Sequence, residues 1–179
     1  MDVAEMPVLK RIRELENALS SCTIVVGWID GNGSAETALA HLMAKNATGE
    51  DQPSIGKPAS RALIARTMNY GRMEGTTAEG RHYTEIPARP FMTFAKEIFE
   101  RTFPKVMKRY MPDYLDGTLS VDDLLTEIAI RAKASVQEAI LNGDYAPLSP
   151  KTIARKGSTV PLVDTGTMLK TVTFEIRRV

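Results

Sequence analysis

One long amphipathic helix constrains the fold of this 179-residue chain more than any other feature. Apolar residues recur at helical spacing from Val121 to about Leu141, and such a stripe has to be buried against other elements. Ser120 supplies an N-cap, with Asp123 three residues later as a partial capping box, and Asn142-Gly143 supplies a stop signal. The predicted buried stripe is Val121, Leu124, Leu125, Ile128, Ala132, Val136, Ala139 and Ile140.

Two segments with β-branched and aromatic residues lie towards the two ends of the chain, at 23–29 and 171–178. They are natural partners for each other in a small sheet. Proline placement and apolar spacing predict further helices, and the segment 111–114 with Pro112 is expected to end the helix that begins near residue 91. The prediction is an α+β fold, a small antiparallel or mixed sheet packed with several helices in a single domain over 1–179. These further helices are predicted at 7–20, 35–45, 59–69 and from 91 to about 109.

The segment 71–85 consists largely of Gly, Thr, Arg and Glu and has almost nothing to bury. It is predicted to be a mobile loop unless a partner orders it, with a hairpin of short strands as the alternative. The segment 86–91 that follows is predicted to be extended, because each proline biases the residue before it away from helix.

Composition excludes several classes of function. The formal net charge of +1 gives no overall field for holding DNA or an anionic membrane. One cysteine, Cys22, and two histidines leave no disulfide or metal cage, and no cofactor is predicted. No apolar stretch approaches the ~20 residues of a membrane-spanning helix, and no signal peptide is visible, so the protein is expected in the cytoplasm during synthesis.

Asp164-Thr165-Gly166 matches the local pattern of an aspartic-protease catalytic loop. That chemistry needs two carboxylates sharing a proton and a body of strands after the loop, whereas only residues 167–179 follow here. The alternative is a structural turn, in which Asp164 caps a short helix from Thr165 to Lys170 and Gly166 tolerates the tight conformation. We therefore predict that the protein is not an enzyme, with a hydrolase built on Asp164 as a remote alternative.

Lys151, Arg155 and Lys156 form a small basic face on a short helix. They predict either a DNA-facing surface or an ordinary solvated helix side. A DNA-binding regulator that uses the helix at 120–142 is a further alternative, and it would bind duplex DNA in a salt-dependent way. The lone Trp28 is expected in the core or an interface.

Two separated segments together resemble a known group of proteins. The first is Tyr70-Gly71, a polar loop, and then Ile86-Pro87-Ala88-Arg89-Pro90-Phe91-Met92. The second runs from Pro147 to Gly157 (Pro-Leu-Ser-Pro-Lys-Thr-Ile-Ala-Arg-Lys-Gly) and continues as Pro161-Leu162-Val163-Asp164-Thr165-Gly166-Thr167-Met168-Leu169. In order and spacing they resemble signatures of the virion morphogenesis and tail-completion proteins of long-tailed bacteriophages, including the phage Mu type, over roughly 60–179. The chain departs from that pattern at three places. Asn69 occupies the position of a usual glutamate, and the tryptophan often found before the Pro-Leu-Ser segment is either replaced by Tyr145 or absent. The segment 30–58 is a candidate insertion.

The resemblance implies a non-enzymatic subunit of the phage neck or tail. Such proteins form rings, commonly hexamers, that cap the tail tube and dock it to the head connector; the alternative within the class is a head-closure or connector ring. The implied partners are other copies of the chain, the tail tube protein and the head connector, with DNA passing through the lumen without sequence-specific binding. The implied location is the virion. The expected contact strip is Ile86, Pro87, Arg89, Pro90 and Phe91, with Phe91 as an apolar anchor and Arg89 as a guanidinium contact.

Overall fold

The computed structural model describes residues 7–29, 61–77, 80 and 82–178, and it confirms a single α+β domain in which helices dominate. The predicted helix at 35–45 and the candidate insertion at 30–58 both lie outside these residues. Across the described ranges the helices are α1 Pro7–Ser21, α2 Arg61–Tyr70, α3 Phe91–Asp116, α4 Val121–Asn142, α5 Pro150–Lys156 and α6 Thr167–Lys170. The strands are β1 Cys22–Gly27, β2 Gly75–Thr76, β3 His82–Tyr83 and β4 Thr173–Arg178.

The central element is α4, the helix that the sequence predicts most clearly. Ser120 caps it as expected, because its hydroxyl accepts a hydrogen bond from the N–H of Asp123 at 3.1 Å. Six of the eight predicted stripe residues are buried, and Val121 and Ala132 are half-buried. Ala129 and Ser135 widen the buried face beyond the predicted positions. The amino-terminal half of α4 packs into one apolar cluster with α1 and the end of α3, and its carboxy-terminal half packs into a second cluster with the start of α3.

The predicted pairing of the two terminal segments is confirmed. β1 and β4 form an antiparallel ladder in which Ile24 lies opposite Ile176 and Val26 lies opposite Phe174. Val172, just before β4, is 2% exposed and belongs to the second cluster. The sheet therefore ties the first described strand to the last and packs against α4.

The prediction that 111–114 ends the third helix is wrong. α3 continues through Pro104 and Pro112 to Asp116 and ends at Gly117, whose φ of +96° lies in the left-handed region. A tertiary anchor holds the last turn: Tyr114 is fully buried, and its hydroxyl donates to the backbone oxygen of Arg11 at 2.6 Å. The Arg11 side chain in turn donates to the oxygens of Tyr114 and Leu119. These contacts offset the helical hydrogen bond that each internal proline removes.

The segment 71–85 contains the short hairpin that was the sequence-based alternative. β2 pairs with β3 in antiparallel fashion. At its base, Arg72 and Ile86 exchange two backbone hydrogen bonds of 2.8 Å. The guanidinium of Arg72 lies 4.1 Å from the ring centre of Tyr83 and stacks across the hairpin. The mobility of this segment stays a prediction.

Candidate partner-binding surface

The two segments that carry the resemblance meet in one apolar cluster, and Trp28 joins them. The Trp28 ring packs edge-on against Phe91, with 5.7 Å between ring centres. Its Nε1–H donates to the backbone oxygen of Met168 at 3.0 Å. Leu162 is buried in the same cluster, and Tyr145 contacts the ring of Phe94 there. The chain after β1, the 86–92 segment and the 161–169 segment thus form one structural unit, which we call the signature cluster.

The 86–91 strip is extended as predicted, but its side chains divide between surface and interior. Pro87 and Pro90 are exposed, and Ile86 is half-buried. Phe91 is fully buried and Arg89 is 5% exposed. The expectation that Phe91 is an apolar contact anchor is therefore wrong for this subunit, because the chain's own core occupies the space around its ring. The contact role of Arg89 stays a prediction. A contact role for Ile86, Pro87 and Pro90 stays a prediction.

The strip is fastened to the end of α2 by backbone geometry. Gly71 has a φ of +77°, and a Cβ added there would lie 2.7 Å from the oxygen of Ile86. The N–H of Arg89 donates to the oxygen of Met68 at 2.9 Å. Only glycine allows this approach, since a side chain would meet backbone atoms that cannot move aside.

Asn69 has a role that sequence reasoning missed. Its side chain is buried, and Oδ1 accepts a hydrogen bond from the N–H of Met92 at 3.0 Å. Met92 lies in the first turn of α3, and the N-cap residue Pro90 has no side chain that could accept from its N–H. Asn69 of α2 supplies the acceptor instead. In the sequence Asn69 drew notice only as a departure from the phage signature, and its position 23 residues before Met92 gives no local capping signal.

The buried side chain of Arg89 has an unfilled hydrogen-bond donor. Its Nε is buried and has no hydrogen-bond partner, and Arg89 forms no salt bridge with any residue that the structure describes. Burial lowers the pKa of its guanidinium, but arginine keeps its charge in proteins. A positive charge is thus held inside the subunit without a counter-charge from the described chain.

The Asp164-Thr165-Gly166 turn leads into α6, which begins at Thr167 rather than at Thr165 as predicted. Gly166 has a φ of +73° and is the N-cap residue. The hydroxyl of Thr165 accepts from the N–H of Thr167 at 3.4 Å and lies 2.7 Å from the Thr167 hydroxyl. The hydroxyl of Thr165 thus caps this N–H, and the side chain of Asp164 is exposed. The capping role of Asp164 stays a prediction.

The predicted basic face is smaller than the sequence implied. Lys151 and Arg155 are exposed one turn apart on α5. Lys156 instead folds back, and its Nζ donates to the backbone oxygens of Pro161 at 3.1 Å and Val160 at 3.4 Å. Lys156 thus closes the loop after α5, and the solvent-facing basic pair is Lys151 and Arg155.

Two apolar features are open to solvent. One is the end of α2 and the base of the hairpin, where Tyr70 is 76% exposed and Met73 is 79% exposed. The other is a groove of about 430 Å³ between β1, α3 and α4, whose lining includes Ile24, Met92 and Leu125. Exposed apolar surface of this kind is typical of protein–protein contacts.

Within the described ranges, no group of three or more His, Cys, Asp or Glu side chains is arranged to hold a metal ion. None of the helices among these residues is both long and apolar enough to cross a membrane.

Comparison with known proteins adds no relative: no family model, no curated protein and no solved structure matches this chain. The resemblance to phage tail-completion proteins therefore rests on the two signature segments alone and stays a prediction.

Proposed function

We propose that this protein is a structural subunit of the neck or tail of a tailed bacteriophage, where it forms a ring that caps the tail tube and joins it to the head connector. The ring acts through surface complementarity between subunits and needs no cofactor. DNA passes through its lumen without sequence-specific contacts, in keeping with a net charge of +1.

The observation that carries the proposal is the convergence of the two signature segments. They are separated by more than 50 residues of sequence, yet Phe91 of one and Met168 of the other contact the same Trp28. Segments that pack against the same residue depend on each other in the fold, so their presence together in one sequence has a physical reason. The shared contact with Trp28 therefore supports treating the two segments as one signature.

The surface of the subunit supports assembly into a ring. Among the described residues, no strand pairs with the outer edge of β1 or of β4, so the two-stranded sheet offers two different edges. Natural proteins protect such edges, and a neighbouring subunit is one way of doing so. A cyclic ring uses contacts between unlike faces of successive subunits, which two different edges allow.

Deletion of the gene from the phage or prophage that carries it, followed by electron microscopy of the induced lysate, tests the proposal. Loss of a tail cap is expected to give filled heads without attached tails and tails of irregular length, because an uncapped tube can continue to polymerise. Detached tails of normal length would instead indicate the head-closure or connector ring. Normal virions at normal yield would contradict both.

The hydrolase alternative is tested separately by Asp164→Asn in the same phage. The ring proposal expects normal virion yield, because the Asp164 carboxylate is exposed and Thr165 bonds the first N–H of α6. Loss of a proteolytic processing step in the mutant lysate would favour the hydrolase.

A further inference from the structure

Two buried polar side-chain atoms lack a hydrogen-bond partner among the described residues, and both are arginine Nε atoms, in Arg61 and Arg89. A buried guanidinium N–H without an acceptor is costly, because it loses water without gaining a hydrogen bond and arginine cannot shed its proton. Two such groups in neighbouring elements are more informative than one, since they present unfilled donors of the same chemistry.

Both arginines are placed along one side of α2. Arg61, Ala65 and Met68 have the i, i+4, i+7 spacing of a single helical face, and Ala65 is buried on that face. The backbone of Arg89 is fixed to the end of the same helix, because its N–H donates to the oxygen of Met68 at 2.9 Å. The two attachment points are about 10 Å apart along the helix, a separation that two long side chains can bridge from either end.

Several acceptors at the end of α2 already take part in a hydrogen bond. The oxygen of Met68 accepts from the Arg89 backbone, and the oxygen of Thr67 accepts from the N–H of Gly71 at 2.8 Å. Asn69 directs its Oδ1 to Met92. No described carboxylate forms an ion pair with Arg61 or Arg89. Neither Nε atom is therefore assigned an acceptor among the described residues.

We propose that Arg61 and Arg89 form a binding site for an oxyanion, with the chemistry of a carboxylate or phosphate group. The planar guanidinium donates two parallel hydrogen bonds to such groups, so Arg89 matches this ligand better than a monatomic anion. The ligand reaches the site beside the 86–90 strip, where Ala88 and Pro90 on either side of Arg89 are exposed. The first N–H groups of α3 take no part, since Phe91 and Met92 already donate theirs to Arg89 and Asn69. This site is independent of the proposed role in the phage tail.

The same chemistry has two sources, a free anion or a carboxylate side chain of a second copy of this chain. Thermal unfolding of the purified protein distinguishes them when it is followed in inorganic phosphate against chloride at equal ionic strength, at two protein concentrations. A free-anion site of millimolar affinity is expected to raise Tm by about 3–6 °C at about 10 mM phosphate, with a shift that grows with the logarithm of the phosphate concentration. A carboxylate from a second copy gives instead a Tm that rises with protein concentration and a dimer or larger species in sedimentation velocity.

The variant Arg89→Met is expected to abolish whichever response the wild type shows. Its Tm in chloride is expected to equal or exceed that of the wild type, because the unpaired buried charge is gone. Arg66→Met is the matched control: Arg66 is an exposed arginine of the same helix, and this variant should respond as the wild type does. The control also registers the general stabilisation by phosphate, which needs no binding site and should be equal in all variants.

Arg61→Met is expected to weaken the response without changing the secondary structure seen by circular dichroism. The proposal is overturned if Arg89→Met keeps the Tm increase at millimolar phosphate or the dependence of Tm on protein concentration. It is equally overturned if the wild type shows neither response beyond that of Arg89→Met.

Discussion

At the scale of single residues, side chains far apart in sequence complete each other's hydrogen bonds. Trp28 donates to Met168, Asn69 caps α3 through Met92, and Tyr114 locks the end of α3 to Arg11. Each of these bonds satisfies a buried or half-buried backbone group that would otherwise lose its hydrogen bond to water. Their removal is expected to cost more than the loss of an average surface contact.

Asn69 gives a direct test of the capping bond. Asn69→Ala removes the acceptor for the N–H of Met92 and is expected to lower the free energy of unfolding by about 1–2 kcal/mol. Asn69→Asp keeps an acceptor of the same shape and adds a negative charge at the amino end of α3, which offsets part of the cost of burying a carboxylate, so it should lose less stability than Asn69→Ala. Urea unfolding measures both.

The control for Asn69 is Asn17→Ala, an exposed position on α1. It is expected to change stability by less than about 0.5 kcal/mol. A loss in Asn69→Asp as large as in Asn69→Ala would contradict the capping assignment.

Tyr145 is expected to make stability depend on alkaline pH. Its hydroxyl donates to the oxygen of Ala139, and burial raises the pKa of Tyr145 to about 12. An unfolded tyrosine ionises near pH 10, so the folded state holds the proton more tightly. The resulting stability is present below about pH 10 and is lost as pH rises from about 10 to 12.

Denaturant unfolding at several pH values, with phenolate absorbance recorded in parallel, measures this effect. Tyr145→Phe should reduce the fall in stability over that pH range and remove one late-ionising phenol. Part of the fall should stay, because burial also raises the pKa of Tyr114. An unchanged profile in Tyr145→Phe would show that Tyr145 ionises as freely as in the unfolded chain.

At the scale of secondary-structure elements, the closest fit is that between α2 and the 86–91 strip. Gly71, the Arg72–Ile86 bridge and the Met68–Arg89 bond hold the strip against the end of the helix. The strip in turn sets the direction in which α3 leaves and thereby places Phe91 under Trp28. The conformation of a few residues thus determines the packing of the longest helix.

Substitution of two glycines with positive φ, Gly117 and Gly71, distinguishes the cost of backbone conformation from the cost of a steric clash. Gly117→Ala is expected to cost about 1 kcal/mol, because its Cβ would have only an ordinary contact with Arg11 at 3.8 Å and the loss is conformational. Gly71→Ala has the same conformational cost, and its Cβ would also lie 2.7 Å from the Ile86 oxygen and 2.8 Å from the Ala88 nitrogen. We expect Gly71→Ala to be clearly the more damaging of the two.

Chemical denaturation of the two variants side by side provides the measurement, with Gly117→Ala serving as the control. Trp28 is the only tryptophan, so its fluorescence reports whether Gly71→Ala also disturbs the signature cluster. Equal losses in the two variants would indicate that the strip can move away from Gly71 without cost.

At the scale of the whole molecule, β4 closes the domain. It pairs along its full length with β1 and covers α4, so the end of the described chain stabilises its beginning. A chain truncated after Thr171 is expected to lose the cooperative thermal transition, because the inner face of β1 and the α4 stripe would be exposed to water. Differential scanning calorimetry measures the loss.

The full-length variant Glu175→Ala is the control, because it changes a residue of β4 but keeps the strand. Glu175 is exposed, and within the chain it pairs with Arg177 two residues away. Its replacement should leave the transition in place, with a shift of less than about 2 °C. A cooperative transition in the truncated chain at the wild-type temperature would show that the sheet contributes little to the domain.

The sequence alone determined the elements whose signals are local. The α4 stripe with its Ser120 cap and the β-branched segments that became β1 and β4 were predicted because period and capping are properties of neighbouring residues. The Asp164-Thr165-Gly166 turn was likewise placed before a short helix, although α6 begins two residues later.

Tertiary structure alone decided what depends on distant contacts. α3 passes Pro112 because Tyr114 is anchored to Arg11, more than 100 residues away. Phe91 lies in the core and Arg89 in an unpaired buried site because α2, and not their own neighbours, sets the course of the strip. The local sequence pattern does not predict the end of α3 or the burial of the strip. Both are stabilised by burial and hydrogen bonds between elements that meet only in the folded chain.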